Sequence, residues 1–191
     1  MNTIKRTWIS VLLGALILPV VGVMAAGMAD NPLKNAKVGD WLQYNMTTSA
    51  MGQNMVMKMK QTVVAKDATS VTLRTETTMM GKAMPPQDTK IPLNQAYEPY
   101  KVDPAVTDAK VTPIGEGNET ITVGGKAYPC HWVKVKMVAT KPAPTDGTVK
   151  VWTCKDVPVS GVVKMETETT IKAGTQTMNT KMTMEITGSG R

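Results

Sequence analysis

The 191-residue chain has no phenylalanine, one histidine, two cysteines and few aromatic residues, 4% in all. Each shortage excludes something. Nucleic-acid binders interleave stacking aromatics with clustered positive charge. Here aromatics are scarce and the basic residues stand singly, with no polybasic run. With one histidine, a Ser-His-Asp triad would have to use His131. Ser49, Ser70, Ser160 and Ser189 lie in no nucleophile-elbow context. Covalent haem attachment wants C-x-x-C-H, and Ala127 stands where the first cysteine would be. The acidic residues fall mostly on polar strand faces and in loops, with no convergent carboxylate pair. No enzyme activity and no cofactor are therefore expected.

No acidic residue precedes Asp30. The start of the chain is Lys5-Arg6, an apolar run from Trp8 to about Val23, then Ala25, Ala26, Gly27 and Ala29. That is the layout of a secretory signal peptide over residues 1–29, with cleavage expected after Ala25 or Ala29. The run is short for the ~20 residues of a spanning helix. No cysteine follows it, which excludes a bacterial lipoprotein anchor, and no later segment reads as a transmembrane span. The expected location is exported, periplasmic or extracellular. Net charge is +7, and loss of Lys5 and Arg6 leaves 20 basic against 15 acidic residues. Spread this way, the charge describes a solvated lysine-rich surface.

From residue 30 to 191 a single domain is expected, dominated by period-two alternation. Met55, Met57, Met59, Gln61 and Val63 share one face of a strand. Val71, Leu73, Thr75 and Thr77 share one face of the next. Pairing Val63 with Val71 sets Lys58 opposite Glu76, a favourable cross-strand pair. Near the C-terminus a two-residue turn at Ala173-Gly174, with Lys172 opposite Thr175, sets Val163 against Met184, Met165 against Met182, Thr169 against Met178 and Glu166 against Lys181. Gly124-Gly125 reads as a further turn. Residues 81–118 hold six prolines and read as an irregular crossover, with one strand near Lys110–Pro113 and a short helix around Leu93–Tyr97. Together these give an all-β fold with little helix apart from the signal peptide. Its roughly eight strands form a curved antiparallel sheet, a half-barrel or barrel, with a two-sheet sandwich as the alternative.

Pairing Trp132 with Trp152 sets Cys130 opposite Cys154. Export and an even cysteine count then make Cys130–Cys154 the expected disulfide. Cys130 and His131 are neighbours on a strand and point to opposite faces, so they do not make a catalytic pair.

Met is abundant, 16 in the chain. With no Phe, it becomes the large flexible filler of the apolar face. Met55, Met57, Met59, Met165, Met178, Met182 and Met184 are the candidate lining of a ligand cavity. A lipid or apolar small molecule is the candidate partner. Thioethers also select Cu(I). Met55, Met57 and Met59 with His131 form an alternative copper set, similar to that of small periplasmic copper chaperones. A structural or interaction protein of the cell envelope with a filled core is the remaining alternative.

One stretch carries a resemblance. From Glu119 to Glu166 a strand, a Gly turn and a strand lead into Trp152, Val157, Pro158, Gly161, Val162, Val163, Lys164 and Glu166. This resembles the late strands of the outer-membrane lipoprotein-carrier superfamily and related exported bacterial β-proteins. The resemblance implies a curved half-barrel whose apolar concave face holds acyl chains. The carriers close that face with lid helices, and no segment here reads as such a lid.

Overall fold

The computed structural model describes residues 31–94, 97, 109–140, 144–173 and 176–191. The leader lies outside them. So do most of the helix expected around Leu93–Tyr97 and the turn expected at Ala173-Gly174. Among the described residues, after a single 3-10 turn at Pro32–Lys34, everything regular is strand: β1 (Trp41–Ala50), β2 (Gln53–Lys66), β3 (Ser70–Met79), β4 (Lys82–Ala83), β5 (Gln87–Pro92), β6 (Lys110–Val123), β7 (Lys126–Ala139), β8 (Thr145–Thr153), β9 (Val162–Ala173) and β10 (Gln176–Gly190).

The strands form one antiparallel sheet in the order β4-β3-β2-β1-β10-β9-β8-β7-β6, with β5 also paired to β3. It is two meanders joined where the first long strand meets the last. The sheet is open and curved, a half-barrel of ten strands rather than eight. Three strands separate β6 from β10, about 19 Å along a flat sheet at ~4.8 Å per strand. Their Cα atoms nevertheless come within 8 Å, so this half is strongly curled. Bulges between Pro113 and Gly115 and between Trp152 and Thr153 supply bends on that side. At Gly147 a Cβ would lie 2.5 Å from the Glu168 carbonyl, so only glycine allows this close approach of β8 to β9.

The extra strands come from the segment read as a crossover. β4 and β5 lie within it, and β6 runs unbroken from Lys110 through Pro113 to Val123. Pro113 is tolerated because β6 is an edge strand, where a missing N–H need not break a ladder.

Two expected registers are corrected, each by two residues. In β2–β3, Val63 faces Leu73 and Lys60 faces Glu76, in place of Val63 with Val71 and Lys58 with Glu76. In β9–β10, Ala173 faces Gln176, so Met184 meets Met165, Met178 meets Ile171 and Lys181 meets Glu168. The expected Val163–Met184, Met165–Met182, Thr169–Met178 and Glu166–Lys181 pairs do not form. A two-residue slip keeps every side chain on its face, so alternation alone cannot detect it. The β7–β8 register is as expected, with Trp132 opposite Trp152. Gly124 and Gly125 form the β6–β7 turn, both at positive φ.

On the convex face two tryptophans lie over paired glycines of a neighbouring strand. Trp132 covers Gly115 and Gly117, and Trp41 covers Gly188 and Gly190. A Cβ at Gly117 or Gly190 would sit 3.1 Å from the ring. Each ring also carries a lysine: Lys60 over Trp41 at 5.3 Å, and Lys150 between Trp132 and Trp152 at 4.3 and 4.2 Å. These cation–π contacts tie the charged face to the sheet.

Candidate functional site

The concave face is the candidate site, and cross-strand register builds it row by row. Met79 faces Met57, Met57 faces Met46, Met46 faces Met184, and Met184 faces Met165. Five methionines thus cross five adjacent strands in one line, which Val151 and Val133 continue onto β8 and β7. A second row is Met55, Thr48, Met182, Thr167, Val149 and Val135. All seven expected lining residues are therefore on one face, but they differ in burial. Met57, Met59, Met165 and Met184 belong to the buried core, while Met55, Met178 and Met182 are only half-buried.

The difference follows position along the strands. At one end, called here the closed end, Leu42, Tyr44, Ile186 and Val163 lie beneath Leu33, Ala36, Leu93, Tyr97, Val157 and Val159, all in the same core. A polar clasp holds that cover. The Tyr44 hydroxyl donates to the Val162 carbonyl at 3.0 Å and accepts from Ser160 Oγ at 2.7 Å. Ser160 Oγ in turn accepts the Val162 N–H, and its carbonyl accepts the Tyr97 hydroxyl at 2.7 Å. Burial drives the Tyr44 hydroxyl above its ordinary pKa, against the opposing Ser160 bond, and drives Tyr97 well above its own. Both tyrosines act as neutral bridging groups. Val159, buried and β-branched, is held at φ 64°, a strain of about 1–2 kcal/mol that the packed loop sustains.

At the other, open end, Met55, Met79, Met178, Met182 and Ile171 are half-buried among Thr77, Thr167, Thr169 and Thr180. Thr180 Oγ1 is buried with no hydrogen-bond partner among the described residues. A groove of about 590 Å³ at this end of the strands belongs mainly to the polar face: Lys136, Asp146, Glu168, Asn179 and Lys181 line it beside Thr169 and Thr180, and Met55, Met178, Met182 and Ile171 do not.

The cysteines lie at the closed end. The His131–Thr153 pair ends the β7–β8 ladder, and Cys130 and Cys154 are its next step. Both are buried and line one cleft of about 850 Å³ with Glu119, His131 and Asp156. The structure holds them as two thiols, not as the expected bond. Cys154 has already turned away from the ladder to begin the loop to Gly161, whose carbonyl accepts its N–H. Burial first, then Cys154 and Glu119, push the Cys130 thiol up to about 11, which leaves it a poor nucleophile at neutral pH. His131 Nδ1 is buried without a hydrogen-bond partner among the described residues.

The alternative copper set is not assembled. His131 is on β7 and Met55, Met57 and Met59 on β2, with four strands between. Among the described residues no group of three His, Cys, Asp or Glu side chains could hold a metal ion. No described helix is long and apolar enough to cross a membrane.

The Tyr44–Ser160–Tyr97 clasp and the Trp–Gly pairs escaped the sequence reading. The first joins residues 116 positions apart, with no local signal. The second did leave one: Gly115-x-Gly117 and Gly188-x-Gly190, each placing two glycines on one face of a strand. The chain matches no known family model and shows no significant similarity to a curated protein.

Proposed function

We propose that this is an exported, non-catalytic β-protein that takes an apolar chain, such as an acyl chain, into the open end of its concave face. The observation that carries the reading is the change in one face from sealed core to half-buried Met and Thr. Unbranched thioether side chains re-pack around variable apolar shapes. Thr180 Oγ1, the buried hydroxyl among them, offers a polar contact for a ligand head. The charged leader with its apolar run supports export.

The test is native mass spectrometry of the protein purified from its own host, followed by displacement of a fluorescent fatty acid. A released mass of several hundred daltons, and displacement weakened at least about tenfold by Met182→Asp, are the expected results. A bare protein that binds no probe would reject the reading. It would leave the second one, a filled-core envelope protein acting through its surface. The buried state of Met57, Met59, Met165 and Met184 favours that alternative for the deep part of the face.

A further inference from the structure

The two hairpin turns at the open rim are built against local preference. Ala50 pairs with Gln53 and Met79 with Lys82, leaving Met51-Gly52 and Met80-Gly81 as two-residue turns. All four residues have positive φ: 51° and 76° in the first turn, 50° and 81° in the second. Such turns favour Asn-Gly or Gly-Gly, and the chain uses Gly124-Gly125 for the same geometry at the opposite end. Here an unbranched apolar side chain occupies the strained position twice. It gains no packing in return: Met51 is 82% exposed and Met80 78%. Val56, 51% exposed, lies beside Met80, whose N–H points to its carbonyl. Strain and exposure at the same residues point outward, to something the rim meets.

Charge identifies the partner. No acidic residue occurs between Asp40 and Asp67, or between Glu76 and Asp88. Lys60 is drawn over Trp41, and Lys66 donates to the carbonyls of Lys34 and Ala36. Lys58 and Lys82 are exposed and have no ion-pair partner among the described residues. Beyond β10, Asp146 on β8 and Glu168 on β9 are already bridged to Lys136 and Lys181. The corner is thus apolar at its tips and cationic behind them.

We infer that this rim docks on an anionic lipid surface. Met51 and Met80 enter among the headgroups and upper acyl chains, and Lys58 and Lys82 meet the phosphates. A protein partner fits less well. Protein interfaces centre on a contiguous patch with aromatic or arginine anchors, whereas this corner presents isolated methionine tips and no aromatic side chain. The inference is independent of the ligand reading, because surface docking needs only the rim.

The experiment is co-sedimentation of the purified protein with vesicles of phosphatidylcholine, alone or with about 30% phosphatidylglycerol, an anionic content that sets a surface potential. Expected is binding at least about tenfold stronger to the anionic vesicles, lost in ~0.5 M salt. The double variant Met51→Asn/Met80→Asn separates docking from folding. Asparagine suits the left-handed position, so the melting temperature should rise by roughly 2–4 °C while vesicle binding falls about tenfold. Lys58→Glu/Lys82→Glu should abolish the preference for anionic vesicles. Unchanged vesicle binding in the methionine variant would overturn the inference. So would a lowered melting temperature in that variant, or a self-associating protein that ignores both vesicles and becomes monomeric in it. Met182→Asp, which disables the concave face, should leave vesicle binding intact.

Discussion

Leu42, Tyr44 and Ile186 at one end of the concave face are sealed beneath a clasped loop, while Met55, Met178, Met182 and Ile171 at the other remain half-exposed. The same strands supply both ends, with the same alternation and similar side chains. What differs is the cover: Leu33, Ala36, Leu93, Tyr97, Val157 and Val159 all join the core at the closed end. Period two therefore marks a face as apolar. Whether that face becomes core or surface depends on segments far away in sequence.

The largest effects should come from testing the two ends with one substitution. Met184→Ala removes a fully buried side chain from the methionine row and should cost about 2–5 kcal/mol. Met178→Ala, on the same strand and face but half-exposed, should cost under ~1 kcal/mol. Urea unfolding of both variants measures the contrast. Equal losses would mean that the open end is also core, and would remove the basis for a ligand there.

Tyr44→Phe sharpens the comparison at the closed end. It keeps the ring and deletes the hydroxyl shared by Ser160 and Val162, leaving the buried Val162 carbonyl without that donor. A loss of about 1–3 kcal/mol is expected. Limited proteolysis should then cut first in the 154–161 loop. Protection there equal to that of the parent would show that the clasp follows the packing and does not hold it.

How much of this was legible depended on whether a segment carried more than one kind of mark. The Trp132–Trp152 register could be read because two tryptophans and two cysteines agree on it. The β2–β3 and β9–β10 registers rested on alternation and single charge pairs. Repeated Thr and Met allow a two-residue slip at no change of face, and the bulge between Val63 and Ala65 adds a further shift. β5 was hidden because Gln87–Pro92 sits between prolines, and only its edge pairing with β3 makes it a strand. The seven methionines could be assigned to a face, but not to core or rim. The turn methionines gave no warning either, since Met-Gly is not a turn signature.

The smallest expected effect is a pH dependence confined to the closed end. Asp40 stands just before β1 and is nearly buried, and Arg191 follows β10. Burial pushes the Asp40 carboxyl up, but the Lys37 N–H at 2.7 Å and the Arg191 guanidinium at 3.0 Å outweigh it, so the net shift is downward from 3.8. A carboxylate with a depressed folded-state pKa stabilises the fold above its unfolded value. That contribution is lost as pH falls through the lower folded-state value. Between pH 7 and 5 the Asp40–Arg191 link should therefore add a constant amount, and below about pH 3.8, the ordinary value, it should fade. Asp67, also at this end, shifts the same way because the Ser70 hydroxyl and the Thr69 N–H bond to it. Asp40→Asn should lower stability at pH 7 and flatten its fall below pH 4. Amide exchange in the first residues of β1 and the last of β10 should accelerate on acidification before exchange around Met55 and Met178 does. The reverse order would place the acid-labile contacts at the open end and break the assignment of a clasped end and a free one.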